Sequence, residues 1–396
     1  MAFDFDRVPS RKGTHSLRWD TVEEKFGEPG LIPLTTADMD FPAPPCVRET
    51  LARAVEQGVY GYPSAGKSYA DAVAAHMARD AGWEISPEWL CRAPGVVNGV
   101  AYALQSLTQP GDGVLLPSPM YHPFAHLIED NGRKVVRSSL RLENGRYELD
   151  WADLEARAAD PAVTLLIFCT PHNPCGRVFT REELERVARL CHDHHLILIA
   201  DEIHAGFCWP GHPFVSMGRV CHDLGPAYEN NLVLCTSASK SYNLAGLQTS
   251  DIIIPCPGKR SRYQRTLQDQ HLMSANLFGI LATESAYNGA GEWLAQLRDY
   301  LWGNCRYLLD FFRDHVPGIT PLVPEATYMV WLDCRGLNLS DSALEELFIH
   351  KAKVGVNLGH TFGPEGAGFV RLNFATPRAT LAEACRRIAK AVEGLA

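Results

Sequence analysis

No stretch of this 396-residue chain approaches the roughly 18 consecutive apolar residues of a membrane span. The opening residues, MAFDFDRVPSRKGTH, place acids where a secretory leader needs an apolar core, which points to a cytoplasmic protein. Excess positive charge is missing as well. A net charge of −9 argues against nucleic acid or an acidic membrane surface as the main partner. The 12 cysteines are scattered without a single CxxC pair, so in a reducing compartment they read as small buried apolar groups or free thiols. There is no internal repeat and no low-complexity linker.

What is present is ample apolar material. Hydrophobic residues make up 46% and charged residues 21%, enough for one large core with a smaller unit attached. Residues 1–45, rich in Pro, Asp and aromatics, read as an N-terminal arm. Residues 51–57 and 68–81 read as helices. Short apolar runs then recur at 114–117, 164–169, 196–200, 232–235 and 251–254, with helical patterns such as 180–195 between several of them. Alternation of this kind argues for a mainly parallel sheet covered on both faces by helices. Beyond about residue 290 the pattern changes. A long helix over 293–315 precedes strand candidates at 327–332, 354–357 and 369–373, and an amphipathic helix covers 381–395. The expected division is an arm (1–45) that joins the small domain, a large domain (46–285) and a small C-terminal α+β domain (286–396).

In open α/β sheets, ligands bind beyond the carboxyl ends of the strands. Five groups fall there. The turn GVVN at 95–98 precedes the helical stretch 100–107, Tyr121 follows the run 114–117, Asn173 follows 164–169, Asp201 follows 196–200, and Lys240 follows 232–235. A helix N-terminus after a glycine turn suits a phosphate. Ser237 and Ser239 can add hydroxyl donors, and Tyr121 can stack on a planar ring. Asp201 can keep a heterocyclic nitrogen protonated. A lysine with a lowered pKa can form a Schiff base with an aldehyde. Phosphate, flat ring, protonated nitrogen and aldehyde together specify pyridoxal 5'-phosphate.

The stretches YPSAG at 62–66, PHNPCG at 171–176, DEIH at 201–204, SASK at 237–240 and FVRLN at 369–373 stand in this order over nearly the whole chain. In that set the sequence resembles the fold-type I, aspartate-aminotransferase-like pyridoxal phosphate enzymes. The resemblance implies an α/β fold, with a large domain built on a mainly parallel seven-stranded sheet plus a smaller α+β domain. It implies that Lys240 carries the cofactor, Asp201 pairs with the ring nitrogen, Asn173 contacts the ring hydroxyl at the substrate side, and Tyr121 stacks on the ring. Val96, Val97, Ser237 and Ser239 would surround the phosphate. Arg371 would clamp the substrate carboxylate, a bidentate task that suits a planar guanidinium. Tyr62 would reach the phosphate in the neighbouring subunit, which implies a homodimer with shared active sites.

More narrowly, ADMDF at 37–41, VYGY at 59–62, DEIH at 201–204, KSYNLAGL at 240–247 and TYMVWLD at 327–333 resemble the cystathionine β-lyase (C–S lyase) branch, the MalY/PatB-type enzymes. Gln248 stands where transaminases usually place a phosphate-binding arginine, and His204 replaces the usual tyrosine at the ring hydroxyl. The implied reaction releases a thiol, pyruvate and ammonia from a cysteine S-conjugate. Amino transfer stays open at this level. So do decarboxylation or oxidative deamination of such a conjugate in specialised metabolism, and plain binding without catalysis. The single residues also have blander readings: Lys240 as a solvated surface group, Asp201 as a helix cap, Arg371 as a structural ion pair. CHDHH at 191–195 looks like a metal cluster, yet neighbouring residues of a helix point in different directions. His360, in the Gly-rich loop LGHTFG at 358–363 ahead of the Arg371 strand, is expected to face the substrate.

Overall fold

A computed structural model describes residues 2–273 and 275–395. Its centre is a seven-stranded sheet. In chain order the strands are β1 (Leu90–Ala93), β2 (Gly113–Ser118), β3 (Lys134–Ser139), β4 (Val163–Cys169), β5 (Ile197–Asp201), β6 (Leu232–Thr236) and β7 (Ser250–Ile253). Across the sheet they run β1-β7-β6-β5-β4-β2-β3. The five strands from β6 to β3 are parallel, and β7 is antiparallel to both its neighbours. This is the sheet the family resemblance implied. β6 is buried along its whole length, and β4 and β5 at all but one position each. Helices therefore cover both faces, and these strands read as continuous apolar runs rather than alternating ones.

Two apolar cores form on the two faces. One lies under the helices Val96–Leu107 and Pro257–Asp269. The larger lies under Arg181–Asp193 and Met217–Leu224 and runs on into the C-terminal part. Local signals set the helix ends. Thr180 and Glu183 form a capping box at the start of Arg181–Asp193, each side chain satisfying the other's backbone N–H. Gly99 lets Val96–Leu107 settle on the sheet, since a Cβ there would sit 2.4 Å from Ile252 Cδ1.

The 25-residue helix Gly291–His315 leads into an antiparallel sheet ordered Thr320–Leu322, Met329–Asp333, Phe369–Asn373, Asn357–Leu358. The closing helix Arg378–Glu393 buries Leu381, Cys385, Ile388 and Val392, an apolar stripe of helical period. The single strand expected over 354–357 is two. Asn357–Leu358 joins the antiparallel sheet, whereas Val354–Gly355 pairs in parallel with Ile32–Pro33 of the N-terminal segment. Among the described residues, no helix is long and apolar enough to cross a membrane.

Candidate active site

A cavity of about 370 Å³ opens beyond the carboxyl ends of the parallel strands. Its walls bring together Val96, Val97, Tyr121, Asn173, Asp201, His204, Ser239 and Lys240, eight positions singled out in the sequence. A larger cleft of about 1020 Å³ lies under residues 205–214 and shares Ile203 with the smaller cavity. It holds neither Lys240 nor Asp201, so the smaller cavity is the candidate site.

Backbone geometry builds one end of the cavity. Gly95 has φ 100°, a value an L side chain rarely adopts, and it turns the chain sharply into Val96–Leu107. The N–H groups of the first helical turn have no partner within the helix and line the cavity with the positive end of the dipole. Ser239, Gln248 and Thr249 face the same space. Gln248 holds φ 45°, a left-handed conformation uncommon outside glycine.

Asp201 ends β5 and is 4% exposed. One carboxylate oxygen accepts the Ile203 N–H at 3.1 Å, and the Cys169 thiol lies 3.8 Å from the other. Cys169 and Asp201 are register partners on adjacent strands, which fixes that contact. Burial pushes the Asp201 carboxyl up to about 6, against the Ile203 N–H, the Cys169 thiol and the Lys240 charge. Lys240 stands on the short helix Ala238–Ser241, and its Nζ donates to the Ala37 carbonyl at 2.6 Å. Burial lowers its pKa. Asp38 and Asp201 act against that, and Arg371 adds to it.

Arg371, 2% exposed, lies behind Asn173. It donates to the Asn173 side-chain oxygen, the Thr35 carbonyl and the Asn357 side-chain oxygen, each at 2.9 Å. Burial lowers it to about 10, so it stays a cation at neutral pH. The Phe362 ring covers it at 4.8 Å, a cation–π contact. His204 is pushed down to about 3 by burial, with Lys240 and Arg371 adding to the effect, and is neutral.

Two buried polar atoms here have no partner, Arg371 Nε and His204 Nδ1. Unpaired buried donors and acceptors cost free energy, and at a site they mark where a ligand completes the set. The residues fit pyridoxal phosphate. The Val96 turn, Ser239 and Thr249 suit the phosphate, Tyr121 and Ile203 suit the ring faces, Asp201 suits a ring N–H, and Lys240 suits the aldehyde.

Four expected positions do not line the cavity: Arg371, which is tied to Asn173, and Ser237, His360 and Tyr62. The Ser237 hydroxyl donates to the Thr249 carbonyl at 2.7 Å and accepts the Ser239 N–H at 3.0 Å, so it caps the Lys240 helix instead. His360 points outward, half-exposed, with its Nδ1 3.4 Å from Asp341. The turn Gly359–Phe362 sends Phe362 inward in its place. Tyr62 is fully exposed and touches nothing of its own site. His192 and His194 bond Asp193 and Glu155, and among the described residues no cluster of three or more His, Cys, Asp or Glu is arranged to hold a metal. The sequence reading missed Ala37, Cys169 and Ile203. Ala37 acts through its carbonyl, which leaves no side-chain signal.

A family model of class I and II aminotransferases matches residues 29–388. The chain belongs to this family. Within it, the chain is 38% identical over 392 residues to cystathionine beta-lyase PatB of Bacillus subtilis (strain 168), covering 98% of this chain and 100% of that one. It is 33% identical over 395 residues to protein MalY of Escherichia coli (strain K12), covering 99% and 100%. Among solved structures, cystalysin from Treponema denticola, which contains a pyridoxal 5'-phosphate cofactor, superposes with a TM-score of 0.96 at 34% identity over 100% of both chains.

Proposed function

We propose that the protein is a pyridoxal phosphate-dependent carbon–sulfur β-lyase that cleaves cystathionine or another cysteine S-conjugate to a thiol, pyruvate and ammonia. One observation carries this reading: Lys240 and Asp201 share a cavity wall, and behind it Arg371 keeps an unpaired Nε, in a chain whose relatives bear lyase names. When bound, the cofactor supplies an aldehyde for the amine and a protonated ring that accepts electrons from Cα.

The chain's own residues do the rest. Arg371 holds the substrate carboxylate through Nε and a shared Nη. Asn173 ties that clamp to the ring edge. Asp201 stays ionised beside the ring N–H. Lys240 Nζ takes the proton from Cα and returns it to the sulfur as the Cβ–S bond breaks. The electron pair of the broken bond leaves with sulfur, and no net oxidation occurs. The released 2-aminoacrylate hydrolyses to pyruvate and ammonia. Gln248 adds no charge at the phosphate end, where the helix turn carries the electrostatic load.

The same reading places Tyr62 in the site of a second copy, as part of a homodimer. Val55, Val59, Tyr60 and Tyr62 are large, exposed and close in sequence, an apolar surface that asks for cover. A division into residues 1–45 with 286–396 around 46–285 is supported by the pairing of Ile32–Pro33 with Val354–Gly355. A cytoplasmic site of action suits an enzyme of free amino acids with 12 free cysteines. The test of function is thiol release from S-alkyl cysteines or cystathionine with no keto acid added. Absence of thiol from the whole panel would refute it.

A further inference from the structure

The motif ADMDF at 37–41 lies beside the site, and the structure gives it a role. Four successive backbone carbonyls are each engaged by a side-chain donor from elsewhere in the chain. The Thr35 carbonyl accepts from Arg371 at 2.9 Å and the Thr36 carbonyl from Asn373 at 2.6 Å. The Ala37 carbonyl accepts from Lys240 Nζ at 2.6 Å and the Tyr328 hydroxyl at 2.9 Å. The Asp38 carbonyl accepts from Asn373 at 2.8 Å and Arg18 at 3.1 Å. The amine and the carboxylate clamp therefore hang on one short wall.

Behind the wall sits an ion network. Arg18 is 0% exposed, and its two Nη atoms lie 3.4 Å from Asp38 and 3.5 Å from Asp40. Arg11 pairs with Asp38 at 2.7 Å and Asp40 at 3.1 Å. Trp19 and Thr376 donate to Asp40 at 2.8 and 2.7 Å. Burying charges is costly even when they are paired, and an apolar plug would anchor an arm as well. The charge itself thus needs a use, and Lys240, bonded to the carbonyl of Ala37 next to Asp38 in the chain, is a cation that feels it. The groups facing Lys240 are Asp38 from the arm, Asp201 from β5 and Arg371 from Phe369–Asn373, with neutral His204 and Tyr328 nearby. Of the acids, Asp38 has the larger effect on it.

We propose that Asp38, held by Arg11 and Arg18, is a positioning residue for Lys240. It keeps the Ala37 carbonyl where that carbonyl docks the freed amine. Its negative charge holds the proton on Nζ between removal from Cα and delivery to sulfur. The inference rests on Lys240 as the proton carrier, not on what the sulfur bears.

The test titrates the visible absorbance of the bound cofactor in purified holoenzyme against pH. Asp38→Asn removes a negative charge beside the lysine nitrogen, so the midpoint should fall by about one unit. Arg11→Gln removes a positive charge from the same network, so the midpoint should rise. The acid limb of kcat should move with each, and KM should change less than kcat. Arg11 is partly exposed, so its variant keeps the test alive where Asp38→Asn folds poorly. Midpoints that stay fixed in both variants, or move the same way, would reduce the network to an anchor and overturn the proposal. Product identity does not enter this titration. An amino-transfer outcome would overturn the lyase reading, while opposite midpoint shifts would still support the role of Asp38.

Discussion

Arg371 Nη1 donates to the Asn173 side-chain oxygen at 2.9 Å, which ties the antiparallel sheet to the loop after β4 across 198 residues of sequence. In the proposed function, the clamp for the substrate carboxylate and the amide at the ring edge are thus one unit. Arg371→Ala should raise KM by about 100-fold, because it removes a charge-assisted fork used in ground and transition states alike. Arg371→Lys should recover little, since a point charge cannot hold Asn173, Asn357 and a carboxylate together. Steady-state kinetics on an S-alkyl cysteine measures both. A lysine variant with normal KM would contradict the clamp.

Borohydride reduction followed by peptide mapping should place the cofactor on Lys240. Lys240→Ala should bind it without a covalent bond and turn over negligibly. Label on any other lysine would move the site.

Asp201→Asn replaces the carboxylate proposed to pair with the ring nitrogen with a neutral amide. Loss of a preorganised charge of this kind costs about 100-fold or more in kcat. Near-normal kcat in this variant would leave Asp201 a purely structural strand end.

Glu202 gives a stability signature. It is buried, accepts from the Ser216 hydroxyl at 2.9 Å and the Met217 N–H at 2.6 Å, and burial pushes its carboxyl from 4.5 up to about 8. The fold favours the protonated form. Its stabilisation is complete below pH 4.5 and is lost as pH rises through about 8. Glu202→Gln should therefore gain in melting temperature over the parent as pH goes from 5 to 8.5. Asp201 and Asp251, raised to about 6 and 7 by burial, slope the parent in the same direction, so the difference between the two proteins is the quantity to read. A difference that does not vary with pH would show that Glu202 titrates in the fold as it does in the unfolded chain, and burial would not be raising its pKa.

How much was legible in the sequence varied with burial. β2, β4, β5, β6 and β7 showed as apolar runs because they are interior strands covered on both sides. β1 (Leu90–Ala93) and β3 (Lys134–Ser139) escaped notice. They lie at the two edges of the sheet, are only partly buried, and mix Arg, Lys and Ser with apolar residues. The count of seven came from family resemblance, not from periodicity. The strand-end rule placed Tyr121, Asn173, Asp201 and Lys240 correctly on one cavity. The expectation for His360, drawn from its loop, failed, because a Gly-rich loop does not reveal which of its side chains turns inward. The strand-end rule also could not see the wall at 35–38, where carbonyls rather than side chains make the contacts.

The decisive measurement follows L-cystathionine or S-methyl cysteine in one cuvette, with thiol, pyruvate and the cofactor spectrum recorded together and no keto acid present. The lyase reading expects thiol and pyruvate in equal amounts over many turnovers, with the bound cofactor remaining in its aldehyde form. A single turnover that converts the cofactor to its amine form, with steady reaction only after a keto acid is added and no free thiol, would contradict it.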